Sequence, residues 1–270
     1  MIRLFESQLQ GLDRQSSKGN QLKWKNDRDW YKADYTGYEA LSEYMVSHLL
    51  QFSDMKTDEY ILYEIEQIEY RKKTMIGARS RNFLEPGWQL ITLERLYRNN
   101  YGSSLTTQLW QLDTPESRLK YLVETIEAIT GLKDFGVYMC KVLTVDCVFL
   151  NEDRHMHNLG VLMNGDGRYR LCPLFDHGAG LLADTTMDYP PDGDPLQMLH
   201  DARAKSIAVD FDDQVAACEA LYGRHINFSF TRKDIQELLK KAPLYSDAIK
   251  TRVMYILLEQ RRKYSYLFIE

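Results

Sequence analysis

Between residues 151 and 178 the chain reads NEDRHMHNLGVLMNGDGRYRLCPLFDHG. It carries three side chains suited to a metal–phosphate complex: Asp153, Asn158 five positions on, and Asp176. Two carboxylates and an amide are hard oxygen donors. Magnesium takes such donors in ones and twos, with water and phosphate completing its shell. Residues 159–163 are largely apolar, Asn164-Gly165-Asp166-Gly167 is a turn signal, and 168–175 alternates well enough for a return strand. A hairpin of that length is expected to bring Asp176 back beside Asn158. Transfer of a nucleotide's terminal phosphoryl group needs cations across the phosphates, a lysine on them and a carboxylate to orient the attacking hydroxyl. Asp176 and Asn158 suit the metal, which leaves Asp153 as catalytic base or hydroxyl-positioning group.

These residues need elements to hold them. Residues 29–33 (DWYKA) read as a short strand carrying Lys32, and 37–50 as an amphipathic helix with Leu41, Tyr44, Met45 and His48 or Leu49 at helical spacing. Residues 60–75 alternate in part and predict two strands. The pattern breaks over 79–88, where Pro86-Gly87 marks a candidate hinge. Beyond it the chain reads as mostly helical. Thr114-Pro115-Glu116 opens one helix that Gly131 closes, and 135–150 is a strongly apolar helix leading into the NEDRHMHN segment. Residues 231–241 and 246–264 are two further amphipathic helices separated by Pro243. The expected fold is α+β: a small strand-rich N-terminal lobe, 1–85, followed by a larger helical C-terminal lobe, 86–270.

Composition narrows the function classes. The 270 residues are 44% hydrophobic and 27% charged, as in ordinary globular proteins, and can bury a sizeable core. A net charge of −5 and pI near 5.8 give no general attraction to nucleic acid, and direct nucleic-acid binding is not expected. No apolar run approaches the roughly 18–20 residues that span a bilayer. The first residues lack an apolar signal core and cleavage site, and Cys140, Cys147, Cys172 and Cys218 show no CxxC spacing. A cytoplasmic protein with buried free thiols is the simplest expectation.

The spacing D-x-x-x-x-N, then a hairpin and D-x-G, resembles the catalytic and metal-binding segments of the protein kinase-like superfamily. DRHMHN also resembles the D-R-H-x-x-N of phosphatidylinositol kinases. The chain is most similar in this respect to HipA-like bacterial serine/threonine kinases. The motif covers about a tenth of the chain, and the lobe order extends the match over most of it. The resemblance implies a two-lobed protein kinase-like fold that binds ATP and Mg2+ in an interlobe cleft. Lys32, held by Glu43 or Glu39, would contact phosphate; the E-Y-M-x-x-x-L run favours Glu43. Ser16, Ser17, Lys18 and Gly19 would belong to a phosphate-covering loop, which departs from the three-glycine loop of eukaryotic protein kinases. Ser16 or Ser17 is then a candidate for autophosphorylation. There is no GxxxxGK[ST], which disfavours a P-loop nucleotidase.

Simpler readings compete at each position. Asp153 or Asn158 alone would be a polar turn capping the next strand, Asp176 a turn residue, Lys32 a solvated lysine. The His155/His157 pair lacks the further ligands of a tetrahedral zinc site; His155 fits better as a loop-orienting hydrogen bonder. Arg261-Arg262-Lys263 suits a solvated helix terminus, and the stretch from Gly178 to Pro195 a substrate-facing loop or a long connection. A lipid or small-molecule kinase, or a non-catalytic nucleotide-binding module, are the alternatives to a protein kinase acting on a protein or on itself. The sequence does not name the substrate or any antitoxin-like partner.

Overall fold

The computed structural model describes residues 1–10 and 21–269. In chain order its elements begin β1 (Ile2–Arg3), β2 (Lys23–Asn26), β3 (Asp29–Ala33), α1 (Glu39–Leu49), β4 (Tyr63–Tyr70), β5 (Lys73–Arg81), β6 (Trp88–Thr92) and α2 (Leu93–Tyr101). They continue α3 (Leu105–Trp110), α4 (Pro115–Thr130), α5 (Phe135–Phe149), β7 (Gly160–Asn164), β8 (Tyr169–Leu171), α6 (Pro195–Asp201), α7 (Phe211–Tyr222), α8 (Arg232–Lys240) and α9 (Asp247–Lys263). The chain packs as two compact units. One is Met1–Phe83 with Phe175–Ala202 and Asn227–Glu270, the other Leu84–Leu174 with Arg203–Ile226.

In the first unit the described strands form a sheet of order β1-β4-β5-β3-β2, antiparallel except for the parallel β1–β4 pair. Strand alternation sorts DWYKA by face. Tyr31 and Ala33 enter an apolar cluster with Leu4, Trp24, Ile68 and Tyr70. Lys32, between them, takes the opposite face, where its partner across the ladder is Ala78. Ala78 packs with Tyr63 and with Ala40 of α1, so small residues leave room for a lysine under the helix. Gly77 is needed beside it, since a Cβ there would lie 2.4 Å from the Lys32 carbonyl oxygen. Helix α1 lies against β4, β5 and α8.

In the second unit β6, β7 and β8 form an antiparallel sheet. The expected hairpin is β7–β8, with a return strand shorter than the alternation of 168–175 indicated. Strand β6 was not anticipated: WQLIT is too short to show a period, and its partner β7 lies some seventy residues away in sequence, a pairing no local pattern reveals. Helix α4 starts at the Thr114 capping box and ends at Gly131, whose φ of 75° is the left-handed cap that glycine favours. Helix α5 is buried almost all round and ends where Leu150 turns left-handed. The four cysteines are buried free thiols. Among the described residues no helix is long and apolar enough to cross a membrane.

Candidate active site

In the first unit three of the expected residues meet. Lys32 Nζ on β3 lies 2.9 Å from Glu43 Oε1 on α1 and 2.5 Å from Asp176 Oδ1. Glu43 is 2% exposed, Lys32 15% and Asp176 25%, so the cluster grades from a sealed carboxylate to an accessible one. Glu39, the alternative partner, is occupied elsewhere. Its carboxylate accepts the N–H groups of Tyr35, Thr36 and Gly37 and caps the entry to α1.

Burial by itself pushes the Lys32 ammonium down, but the Asp176 and Glu43 carboxylates outweigh it and hold Lys32 well above 10.5. Burial raises the Glu43 carboxyl, against the pull of Lys32, and Asp176 adds to the rise. The causes differ: burial dominates at Glu43, whereas at Lys32 two carboxylates together outweigh burial. Lys32 is therefore the firmly charged member. Its ammonium also lies 5.6 Å from the centroid of the Tyr63 ring.

Helix α1 also fixes the segment that carries Asp176. Glu43 Oε2 accepts the His177 N–H at 2.8 Å, and the Ser42 hydroxyl donates to the His177 carbonyl at 2.7 Å. The Asp176 N–H donates to the Tyr63 hydroxyl, and Asp176 itself is left-handed, with φ 64°. Further along, the Tyr38 hydroxyl donates to Leu181 O at 2.6 Å, the Tyr38 N–H to Ala183 O, and the Thr185 and Thr186 N–H groups to Thr36 O. The loop-like stretch after Gly178 is thus tied down, and α9 adds to this: Arg252 donates to Tyr189 O and Pro190 O. Sequence reading missed Ser42, Tyr63, His177 and Arg252. Their work is done on distant main chain, which leaves no local pattern.

In the second unit the loop 151–158 follows α5. Asn158 Nδ2 donates to the Asp153 carbonyl at 2.8 Å and to Asp153 Oδ2 at 3.2 Å. These two expected residues are therefore neighbours, with the Asp153 side chain 13% exposed. Beneath them Asp146 of α5 takes Arg154 Nε at 2.9 Å, Arg154 Nη2 at 3.1 Å and Asn151 Nδ2 at 2.8 Å. Burial raises the Asp146 carboxyl, and Arg154 and Asn151 pull it back. Arg154 Nη1 also reaches the Asn158 carbonyl. From the start of α2, the Leu93 and Glu94 N–H groups donate to Leu159 O and Met156 O. Asp146 had a sequence signal that went unused: a carboxylate inside an otherwise apolar helix must find a buried partner.

His155 Nε2 stands 3.8 Å from Asp153 Oδ1. Its ring is held below 6.5, chiefly by burial, with Asp153 opposing. The Asn158 N–H donates to its carbonyl. Ser16, Ser17, Lys18 and Gly19 lie outside the described residues. The donors on Asp176 and Asn158 are oxygens, which suits magnesium rather than a soft-metal site. Among the described residues no three His, Cys, Asp or Glu side chains cluster as a cage.

No model of a known protein family matches the chain, and no curated protein matches its sequence. Among solved structures the chain is similar to that of a Helicobacter pylori proinflammatory kinase CtkA, with a TM-score of 0.58 and 16% identity. The match covers 91% of this chain and 88% of that one. The chain has a two-lobed, protein kinase-like α+β fold.

Proposed function

We propose that the protein is an ATP- and magnesium-dependent phosphotransferase, a HipA-like serine/threonine kinase able to phosphorylate itself. The observation that carries this reading is the Lys32 ammonium held at 2.9 Å by a sealed glutamate and at 2.5 Å by an accessible aspartate, on a kinase-like fold. A buried lysine kept charged by two carboxylates, one of them sealed in place, is a preformed phosphate-binding cation.

In this reading residues 1–85 bind the nucleotide, and 86–270 bring the catalytic loop and the metal-binding D-x-G segment. Glu43 holds Lys32 in place while Lys32 turns from Asp176 to phosphate oxygens. Asp176 and the Asn158 amide oxygen are the groups that would hold Mg2+, whose charge would offset that of the phosphates. Asp153, oriented by Asn158, positions the acceptor hydroxyl. The bond from the terminal phosphorus to the leaving ADP oxygen breaks, a bond to the hydroxyl oxygen forms, and the hydroxyl proton passes to Asp153. Ser16 to Gly19 cover the phosphates, and Ser16 or Ser17 is the self-acceptor.

Intact-mass analysis after incubation with ATP and Mg2+ tests this. The expected result is a gain of one phosphate on Ser16 or Ser17, absent in Asp153→Ala. A gain of nucleotide mass would overturn phosphoryl transfer, and phosphate confined to other positions would overturn the self-acceptor assignment.

A further inference from the structure

Helix α1 carries Glu43, yet its own sequence supplies no side-chain cap at its start. The N-cap residue is Tyr38, whose side chain makes no cap hydrogen bond. The first N–H groups of an α-helix lack intrahelical partners, and a serine, threonine, aspartate or asparagine at the N-cap usually meets that need. Here the partners come from outside the helix. The Ala40 N–H donates to Asp34 Oδ1 at 2.6 Å. The Leu41 N–H acts as a donor to the Tyr245 hydroxyl, which itself donates to Asp34 Oδ2 at 2.6 Å. Only at Ser42, whose N–H donates to Tyr38 O at 3.0 Å, does the ordinary helical ladder take over.

Tyr245 stands between α8 and α9, 211 positions along the chain from Asp34 and in the same compact unit. It is buried, at 6% exposure. Burial, and after it the Asp34 carboxylate, raise the hydroxyl, so it keeps its proton and donates. Asp34 is also tied to the sheet, because its N–H donates to Ile76 O on β5 at 2.8 Å. Asp34 lies two residues past Lys32, and Ala40 and Leu41 lie less than one helical turn before Glu43. One buried cluster therefore joins the lysine strand, the glutamate helix and the C-terminal segment.

We propose that Tyr245 is a positioning residue for the phosphate site: from the C-terminal segment it completes the cap of α1 and so holds Glu43 on Lys32. This rests on the phosphotransferase reading above. Without the hydroxyl, the Leu41 N–H and Asp34 Oδ2 lose a buried partner, and buried polar groups left unpaired are costly. The first turn of α1 relieves that cost by loosening. Glu43 sits on the next turn, only 2.9 Å from the Lys32 ammonium, and the same carboxylate holds the His177 N–H beside Asp176. A shift at the start of the helix is thus felt by the lysine and by the metal-binding segment together.

The test has two arms on the full chain, with Tyr245→Phe as the main variant and its folding checked by melting temperature. The first is amide hydrogen exchange without nucleotide. Exchange across 38–45 should quicken about tenfold in Tyr245→Phe, the scale of one hydrogen bond to a charged group, while β6, β7 and β8 keep the wild-type rate. Asp34→Ala opens the same turn from its other side and should quicken it at least as much. Unchanged exchange over 38–45 in either variant would overturn the cap. The second arm is a double-mutant cycle on ATP–Mg2+ affinity by calorimetry. Tyr245→Phe should weaken binding about fivefold in the wild-type background and add nothing in Glu43→Gln, because the effect runs through that carboxylate. Additive losses, or none, would overturn the positioning role and leave the phosphotransferase reading standing. Wild-type protein that binds no ATP would overturn both.

Discussion

Asp34, the residue that follows the lysine strand, should make stability fall with rising pH in the neutral range. Its Oδ1 accepts the Ala40 N–H at 2.6 Å, tying down the first turn of α1, and its Oδ2 accepts the Tyr245 hydroxyl at 2.6 Å. Burial pushes the carboxyl from 3.8 up to about 7. The bonds from Tyr245 and Ala40 oppose that rise, and the Glu39 charge adds to it. Because the folded value lies above the unfolded one, the contribution is complete below pH 3.8 and is lost as pH rises through about 7. At roughly 1.4 kcal/mol per pH unit the full interval amounts to about 4 kcal/mol. That figure is a ceiling, because Asp34 keeps some contact with solvent. Between pH 5 and 8 the expected loss is about 2 kcal/mol. Asp34→Asn keeps an acceptor for Ala40 and does not titrate, so its urea midpoint should lack this component. The assay is urea unfolding of both proteins at several pH values from 5 to 8. A wild-type curve that falls relative to Asp34→Asn supports the argument; parallel curves would refute it. Tyr245→Phe removes a bond that favours the carboxylate and should move the fall to higher pH.

Gly37→Ala would place a Cβ 1.8 Å from Ala183 O and 2.9 Å from Thr185 N, so α1 and the Asp176 segment must move apart. The expected cost is about 1–3 kcal/mol in urea unfolding, with weaker ATP binding by calorimetry; wild-type values for both would show that this close approach is dispensable. Arg154→Met leaves Asp146 buried without its cation and should cost about 3–5 kcal/mol, read as a lower melting temperature. Glu43→Gln removes a charge-assisted bond to Lys32, and should destabilise by roughly 1.5–3 kcal/mol while ATP affinity falls.

What the sequence made legible was local. DWYKA read as a short strand carrying Lys32, which is β3, and the Asn-Gly-Asp-Gly turn located the β7–β8 hairpin. Cap chemistry placed α4 between Pro115 and Thr130. Helical spacing did not separate Glu39 from Glu43, which sit on the same helix four residues apart; only the resemblance of the E-Y-M-x-x-x-L run favoured Glu43. The choice is settled by the main-chain N–H groups of 35–37, which occupy Glu39. Strand β6 and the seating of 176–186 on α1 were invisible for a related reason: both depend on main-chain partners distant in sequence, whose side chains keep no periodicity. The Asp146–Arg154 pair lay in between. One buried carboxylate announced a need for a partner without saying which of the nearby cations would meet it.

The central claim is transfer of the terminal phosphoryl group of ATP by Asp153 and Asp176, and the nucleotide product reports on it most directly. Wild-type protein incubated with ATP and Mg2+ should accumulate ADP, and chelation of the metal, Asp153→Ala or Asp176→Ala should each abolish that accumulation. AMP as the product, or equal ADP from the two variants, would contradict the account.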